Sequence, residues 1–102
     1  MILYHPSARR EYDLQVARLM KTPFTTRVVA NFIEEIEAAE KALLRDPDRF
    51  PFVKGSTHYR RFGPTKIYRF NIIYQSVDSD FYILAVAHPA RRPKYWAKRR
   101  IS

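Results

Sequence analysis

Hydrophobic residues in the first half of the chain recur at steps of three and four, the spacing that places side chains on one face of an α-helix. The first stripe begins at Pro6-Ser7 and consists of Ala8, Tyr12, Val16 and Leu19 or Met20. Thr22-Pro23 interrupts it, because proline has no amide hydrogen and disfavours helix in the residue before it. A short apolar segment, Met1–His5, precedes this stripe and is typical of an opening strand.

A second apolar stripe predicts a second helix, with Thr25 or Thr26 as its expected cap and an end near Leu44. Its hydrophobic positions are Val28, Phe32, Ile36, Ala39 and Leu43. Asp46-Pro47-Asp48 consists of turn-forming residues that end the helix. The glutamates of this segment lie largely off the stripe, so we expect them on a solvated helix face: Glu34, Glu35, Glu37 and Glu40.

The hydrophobic period changes from helical to alternating in the second half of the chain, which predicts strands. The candidate strands are Thr57–Phe62, Ile67–Gln75 and Phe81–Ala87, with turns at Gly63-Pro64 and Asp78-Ser79-Asp80. In the middle strand, one face is expected to carry Tyr68, Phe70, Ile72 and Tyr74. The whole pattern predicts a single α+β domain over residues 1–102. Its order is β-α-α-β-β-β: a helical hairpin packed on a small, antiparallel-rich sheet, followed by a basic C-terminal tail.

Composition excludes several classes of function. The chain has no cysteine, which excludes disulfides, thiolate metal ligands and a thiol nucleophile. It has two glycines, Gly55 and Gly63, which excludes Gly-rich phosphate loops. The three histidines, His5, His58 and His88, lack metal-site spacing, so we expect no metal and no cofactor. Without a long apolar run, the expectation is a cytoplasmic protein that does not contact a membrane.

The net charge of +9 arises from 19 basic and 10 acidic residues and is distributed unevenly. Acids and bases balance in residues 1–51, so the whole excess lies in residues 52–102. A concentrated positive charge predicts a polyanionic partner, either nucleic acid or an acidic protein segment. A solubilising surface is the alternative interpretation.

The segment from His88 to Trp96 is the strongest candidate for chemistry, because it follows the most apolar strand and holds two arginines between two prolines. Arginine binds phosphate or carboxylate bidentately, and aromatic rings stack on bases or anchor a surface. Alternatively, Trp96 and Tyr95 cover the end of the sheet. His88 is a candidate acid or base, or alternatively forms a structural hydrogen bond.

A second group of cations surrounds the strand Tyr59-Arg60-Arg61-Phe62 and includes Lys54, Lys66 and Arg69. Alternation sends Tyr59 and Arg61 to one face of the strand, and Arg60 and Phe62 to the other. Arginines next to the His88–Tyr95 loop would form a basic patch. The carboxylates lie on helix faces that look too exposed to form an acid–base pair.

The predicted order of elements, together with several local motifs, resembles the RelE/ParE superfamily of bacterial toxins, in particular its ParE-like branch. The opening strand leads into Pro6-Ser-Ala8-Arg-Arg-Glu11, and the second helix ends with Asp46-Pro47 followed by Phe50-Pro51. Tyr59-Arg60-Arg61-Phe62 and the strand Tyr68–Tyr74 follow. The most specific motif is Leu84-Ala-Val-Ala-His88-x-x-Arg91-x-Pro93-x-Tyr95-Trp96. Together they run in order along nearly the whole chain.

The resemblance implies the toxin of a type II toxin–antitoxin pair, held inactive by an antitoxin with an acidic amphipathic segment, encoded in an adjacent gene. ParE-like members inhibit DNA gyrase without being nucleases, and this reading is slightly favoured. RelE-like members cut mRNA in the ribosomal A site. A non-toxic nucleic-acid-binding relic of the same fold is a further alternative.

The resemblance also assigns roles to particular residues. In a nuclease, Arg61 and Arg91 would hold the scissile phosphate, Tyr95 and His88 would stack on or protonate the substrate, and Lys54 would act as a cation or base. The closely spaced lysines of the RelE pattern are reduced here to Lys54. Residues expected to bind the target or nucleic acid are Arg60, Arg69, Arg92, Lys94, Trp96 and Lys98.

Overall fold

Two helices and four strands follow one another in the predicted order in the computed structural model, which describes residues 1–78 and 80–99. The elements are β1 (Ile2–Tyr4), α1 (Pro6–Leu19), α2 (Thr25–Arg45), β2 (Arg60–Phe62), β3 (Asn71–Val77) and β4 (Asp80–Ala87). The α+β class is therefore as predicted. Of the predicted turn at Asp78–Asp80, Ser79 lies outside the described residues, as do residues 100–102 of the basic tail.

The strands form one mixed sheet in the order β1-β4-β3-β2. β4 pairs in parallel with β1 and antiparallel with β3, which in turn pairs antiparallel with β2. The connection from β1 to β4 contains both helices and the strands β2 and β3, which is long enough for these two strands to pair in parallel. The register of β3 on β4 shifts between Ile73 and Tyr74. No helix within the described ranges is long and apolar enough to cross a membrane.

Apolar side chains bury both faces of this sheet. The helices cover one face, where Phe32, Ile36 and Leu43 pack against strand residues such as Ile72 and Ile83. The opposite face carries Ile73, Leu84 and Ala85, and Trp96 of the C-terminal segment packs on them. Trp96 is only 5% exposed, which confirms the interpretation that it covers the sheet.

The start of each helix depends on a local contact. In α1, the Nδ1 atom of His5 accepts the amide hydrogen of Ser7 at 3.0 Å, which satisfies one of the amides left over at a helix start. The expected cap of α2 by Thr25 or Thr26 is wrong. Phe24, with a left-handed φ of 59°, occupies the N-cap position without a side-chain bond, and the Thr25 hydroxyl instead donates to the Thr22 carbonyl at 2.7 Å.

Two predicted strands begin later than the alternation indicates. The strand expected over Thr57–Phe62 starts at Arg60, because the Ser56 hydroxyl accepts the amides of His58 and Tyr59 and forms a turn. The strand expected over Ile67–Gln75 starts at Asn71.

The delay of β3 has a tertiary cause. The Glu35 carboxylate of α2 accepts the amides of Ile67 and Tyr68 at 2.6 and 3.1 Å, and Arg69 adopts a left-handed φ of 63°. These hydrogen bonds hold residues 67 and 68 against α2, so they do not pair with the sheet. The predicted shared face survives, since Tyr68, Phe70, Ile72 and Tyr74 all pack on the helix side.

Candidate functional site

A cleft of about 490 Å³ opens on the sheet face that carries Trp96. Its walls are the segment before β2, the strands β2 and β3, and the loop after β4. Five lining residues are lysine or arginine, and none of the lining residues, all within the described ranges, is acidic. The charged and titratable members are Lys54, Arg61, His88, Arg91, Arg92, Lys94 and Tyr95.

Eight of the residues singled out from sequence line this cleft: the seven charged and titratable members just named and Trp96. Arg61 and Lys54 therefore join the His88–Tyr95 loop in one basic patch, which we name the cationic cleft. Arg60, Arg69 and Lys98 do not line it. The eight residues lie between positions 54 and 96 of the sequence, and folding brings them together in the cationic cleft.

Arg60 faces away from the cleft, as alternation predicts. Its guanidinium donates to the carbonyl oxygens of Asp48 and Phe50 at 3.0 and 2.6 Å. It also lies 4.0 Å from the ring centroid of Phe52 and 3.7 Å from the Asp48 carboxylate. Arg60 thus fastens the segment after α2 to β2, which leaves Arg61 as the arginine of this strand that faces the cleft.

The segment before β2, residues 51–54, forms the cleft wall opposite the loop and runs alongside β2. The amide of Arg61 donates to the Pro51 carbonyl at 3.0 Å, and the amide of Val53 donates to the Tyr59 carbonyl at 2.7 Å. These bonds extend the sheet edge by a short irregular strand. Gly55, at φ +83°, then turns the chain where a side chain would approach the Lys94 amine at 3.5 Å.

The C-terminal segment is held by a carboxylate that sequence reasoning missed. Glu11 of α1 accepts two bonds from the Arg99 guanidinium, at 2.9 and 3.0 Å, one from the Val86 amide at 3.0 Å, and one from the Tyr95 hydroxyl. Arg99 also donates to the Leu84 carbonyl at 2.8 Å. The expectation that all carboxylates lie on exposed helix faces is therefore wrong for Glu11, whose side chain is 12% exposed.

Both the ring and the hydroxyl of Tyr95 contact other residues of the protein. The Arg91 guanidinium lies 3.9 Å from its ring centroid and that of Arg99 lies 5.1 Å away. Burial first, and then the hydrogen bond to Glu11 and the charge of that carboxylate, raise the pKa of the Tyr95 hydroxyl far above its ordinary value. The hydroxyl is a poor proton donor in this state, and cation–π contacts already occupy the ring.

His88 makes the structural hydrogen bond that was one of its two predicted roles. Its Nδ1 atom accepts the amide hydrogen of Ala90 at 3.0 Å, so the neutral ring carries its proton on Nε2. Its ring packs edge-on against the Phe70 ring, with the two ring centroids 5.3 Å apart. His88 is thereby set up as an Nε2–H donor, and protonating Nδ1 would require breaking the bond to Ala90.

The arrangement is suited to holding negative charge. Arginine forks bind phosphate or carboxylate oxygens bidentately, and cations that line a concave surface reinforce one another's field. Prolines 89 and 93 and the left-handed φ of 59° at Lys94 fix the course of the loop that presents Arg91 and Arg92.

The chain matches no protein-family model, and no curated protein or solved structure is similar to it at a significant level. The cationic cleft and the sequence motifs are therefore the features of the chain that bear on its function.

Proposed function

We propose that this protein is the toxin of a bacterial type II toxin–antitoxin pair and that it acts in the cytoplasm by inhibiting DNA gyrase. Inhibition comes from binding: the cationic cleft engages the phosphate backbone of DNA on the enzyme, and the toxin catalyses no reaction. One observation carries this proposal. The cleft gathers five lysines and arginines with no acid among its described lining residues. The Nδ1 atom of His88 and the Tyr95 hydroxyl, which are candidate groups for proton transfer, already form hydrogen bonds within the protein.

Catalysis of RNA cleavage would require a base at the 2′-hydroxyl and an acid at the leaving 5′-oxygen. With its proton on Nε2, the neutral His88 ring has Nδ1 as its acceptor atom, and accepting a proton there would break the bond from the Ala90 amide. The hydroxyl of Tyr95 already donates to Glu11. Of the predicted catalytic set, this leaves Lys54 for proton transfer and Arg61 and Arg91 for phosphate binding, a set better suited to binding than to turnover.

The same charge explains how a cognate antitoxin would neutralise the toxin. An acidic amphipathic segment is electrostatically complementary to the cationic cleft and would exclude the cellular polyanion from it. The motif resemblance further implies that the adjacent gene encodes a protein that combines a DNA-binding half with an acidic tail.

A ribosome-dependent mRNA endonuclease is the second candidate, favoured by the convergence of Lys54, Arg61, His88, Arg91 and Tyr95 on one cleft. In that reaction the 2′-oxygen attacks the adjacent phosphorus, its proton passes to a base, and the leaving 5′-oxygen receives a proton. Arg61 and Arg91 would stabilise the charge that develops on the phosphate oxygens.

Inducible expression in bacteria, with and without the adjacent gene, separates the candidates. We expect rapid growth arrest, relaxation of a reporter plasmid and DNA damage, all suppressed by the neighbour. The double variant Arg61→Ala/Arg91→Ala should abolish arrest, whereas Arg10→Ala, on the exposed side of α1, is the matched control. Codon-phased cuts in mapped transcripts with normal plasmid topology would instead establish the endonuclease, and unimpaired growth would exclude both toxins.

A further inference from the structure

The Arg91 guanidinium lies 3.9 Å from the centroid of the Tyr95 ring, the shortest cation–ring distance in the parts of the chain that the structure describes. At this distance the guanidinium rests on the face of the ring. Arg91 is itself exposed and lines the cationic cleft. The N–H donors of a guanidinium lie in its own plane, so stacking on a ring leaves them free to bind an anion bidentately.

Tyr95 is in turn held by groups from two other elements. Its hydroxyl donates to the Glu11 carboxylate of α1, which also accepts the Val86 amide of β4 at 3.0 Å. Arg99 donates to the same carboxylate at 2.9 Å, and its guanidinium lies 5.1 Å from the centroid of the Tyr95 ring. The ring is therefore fixed to α1 and β4, and it cannot turn away without breaking its hydrogen bond to Glu11.

The loop backbone fixes where the Arg91 side chain begins but not where its guanidinium points. The Arg91 amide donates to the His88 carbonyl at 3.0 Å, and residues 89–94 are all exposed. A free arginine side chain has several rotatable bonds and loses that freedom when it binds an anion. Because the stack on Tyr95 restricts the side chain beforehand, less freedom is lost on binding.

From these contacts we propose that Tyr95 is a positioning residue of the cationic cleft: its ring, fixed by Glu11, orients the Arg91 guanidinium toward the phosphate. The proposal rests on the polyanion binding proposed for the cleft. It differs from the roles that the resemblance gives to Tyr95, because the tyrosine neither stacks on a substrate nor donates a proton to one. An uncharged side chain thereby controls one ionic contact with DNA.

Binding of a short fluorescein-labelled DNA duplex to the full chain, measured by anisotropy at several salt concentrations, tests this role. Tyr95→Leu removes the ring but no charge, and should weaken binding about 3–10-fold. It should also reduce the magnitude of the slope of log K against log[salt] by roughly 0.5–0.9, because one phosphate contact contributes about 0.9. Tyr95→Phe keeps the ring and should recover most of the lost affinity. Tyr82→Leu changes a half-buried tyrosine of β4 outside the cleft, and as the matched control it should keep both affinity and slope.

A double-mutant cycle separates positioning from direct contact with DNA. Once Arg91→Ala has removed the guanidinium, Tyr95→Leu should weaken binding by less than about twofold further, because no group is left to orient. If Tyr95 touched the DNA itself, the two losses would multiply. Arg91→Lys leaves Tyr95 unchanged and keeps the charge but lacks the planar fork, so it should bind about 3–10-fold more weakly than the parent.

The same measurements distinguish a wrong role for Tyr95 from a wrong role for the cleft. If Arg91→Ala weakens binding, then multiplied losses, parent-like binding by Tyr95→Leu or Arg91→Lys, or an equal loss for Tyr95→Phe and Tyr95→Leu would overturn the positioning role alone. Parent-like binding by Arg91→Ala, or no binding by the parent at low salt, would overturn both. Circular dichroism at the assay temperature establishes that each variant is folded, and Arg91→Lys decides the result if Tyr95→Leu is not.

Discussion

Replacing Glu11 by glutamine removes the charge that holds the C-terminal segment on α1. The carboxylate accepts four hydrogen bonds, two of them from Arg99 and one each from Val86 and Tyr95. Glutamine retains one acceptor oxygen and places an NH₂ donor against groups that are themselves donors. The variant therefore loses about half of these bonds and leaves the Arg99 guanidinium without its counter-ion.

The expected magnitude follows from the burial of the pair. Breaking one partner of a buried ion pair destabilises a protein by about 3–5 kcal/mol, whereas exposed pairs contribute about 0–1 kcal/mol. The side chains of Arg99 and Glu11 are 16% and 12% exposed, so the pair resembles a buried ion pair more than an exposed one. We expect Glu11→Gln to lower the free energy of unfolding by about 2–4 kcal/mol, which lowers Tm by roughly 10–25 °C in a domain of this length.

Urea and thermal denaturation followed by circular dichroism measure this loss. Asp13→Asn on the same helix is the matched control, because its partner Arg9 lies 3.4 Å away and both side chains are more than half exposed. That change should lower stability by less than about 0.5 kcal/mol. A loss for Glu11→Gln no greater than that for Asp13→Asn would refute the placement of the C-terminal segment described above.

Three further predictions use the same denaturation assay. Gly63→Ala should lose about 2–4 kcal/mol, because its Cβ would lie 2.7 Å from the Phe70 carbonyl oxygen, whereas Gly55→Ala should lose about 1 kcal/mol; equal losses would contradict the clash. Burial raises the pKa of Tyr74 to about 12, so its contribution to stability is complete below about pH 10 and declines above it. Between about pH 10 and pH 12, the free energy of unfolding of the parent should therefore fall more steeply than that of Tyr74→Phe, by about 1.4 kcal/mol per pH unit. Parallel pH profiles for the two proteins would contradict this prediction. Trp96→Ala should lose about 3–5 kcal/mol, and a loss below about 1 kcal/mol would show that the ring is not packed on the sheet.

Local patterns were sufficient for much of the fold and for the composition of the cleft. Periodicity identified both helices because their apolar stripes face one core, and alternation placed Arg61 and Arg60 on opposite faces of β2. The position of the basic loop directly after an apolar strand also brought Arg91 to the sheet end. These features depend on neighbours within a few residues, which a sequence displays directly.

Features that depend on distant contacts could not be predicted in this way. The Glu11–Arg99 pair joins residues 88 positions apart, and nothing in the local sequence distinguishes Glu11 from Asp13, the exposed acid of the same helix. The late start of β3 has the same origin, since Glu35 of α2 captures the amides of Ile67 and Tyr68. Alternation alone cannot reveal a competing carboxylate from another element.

We propose that the cationic cleft inhibits DNA gyrase by binding, and a supercoiling assay with purified components measures this inhibition. The parent protein should block ATP-dependent supercoiling of a relaxed plasmid by DNA gyrase, and Arg61→Ala/Arg91→Ala should leave supercoiling intact at the same concentration. Added RNA should remain uncut throughout. Full supercoiling in the presence of a large molar excess of the folded parent protein would contradict the claim.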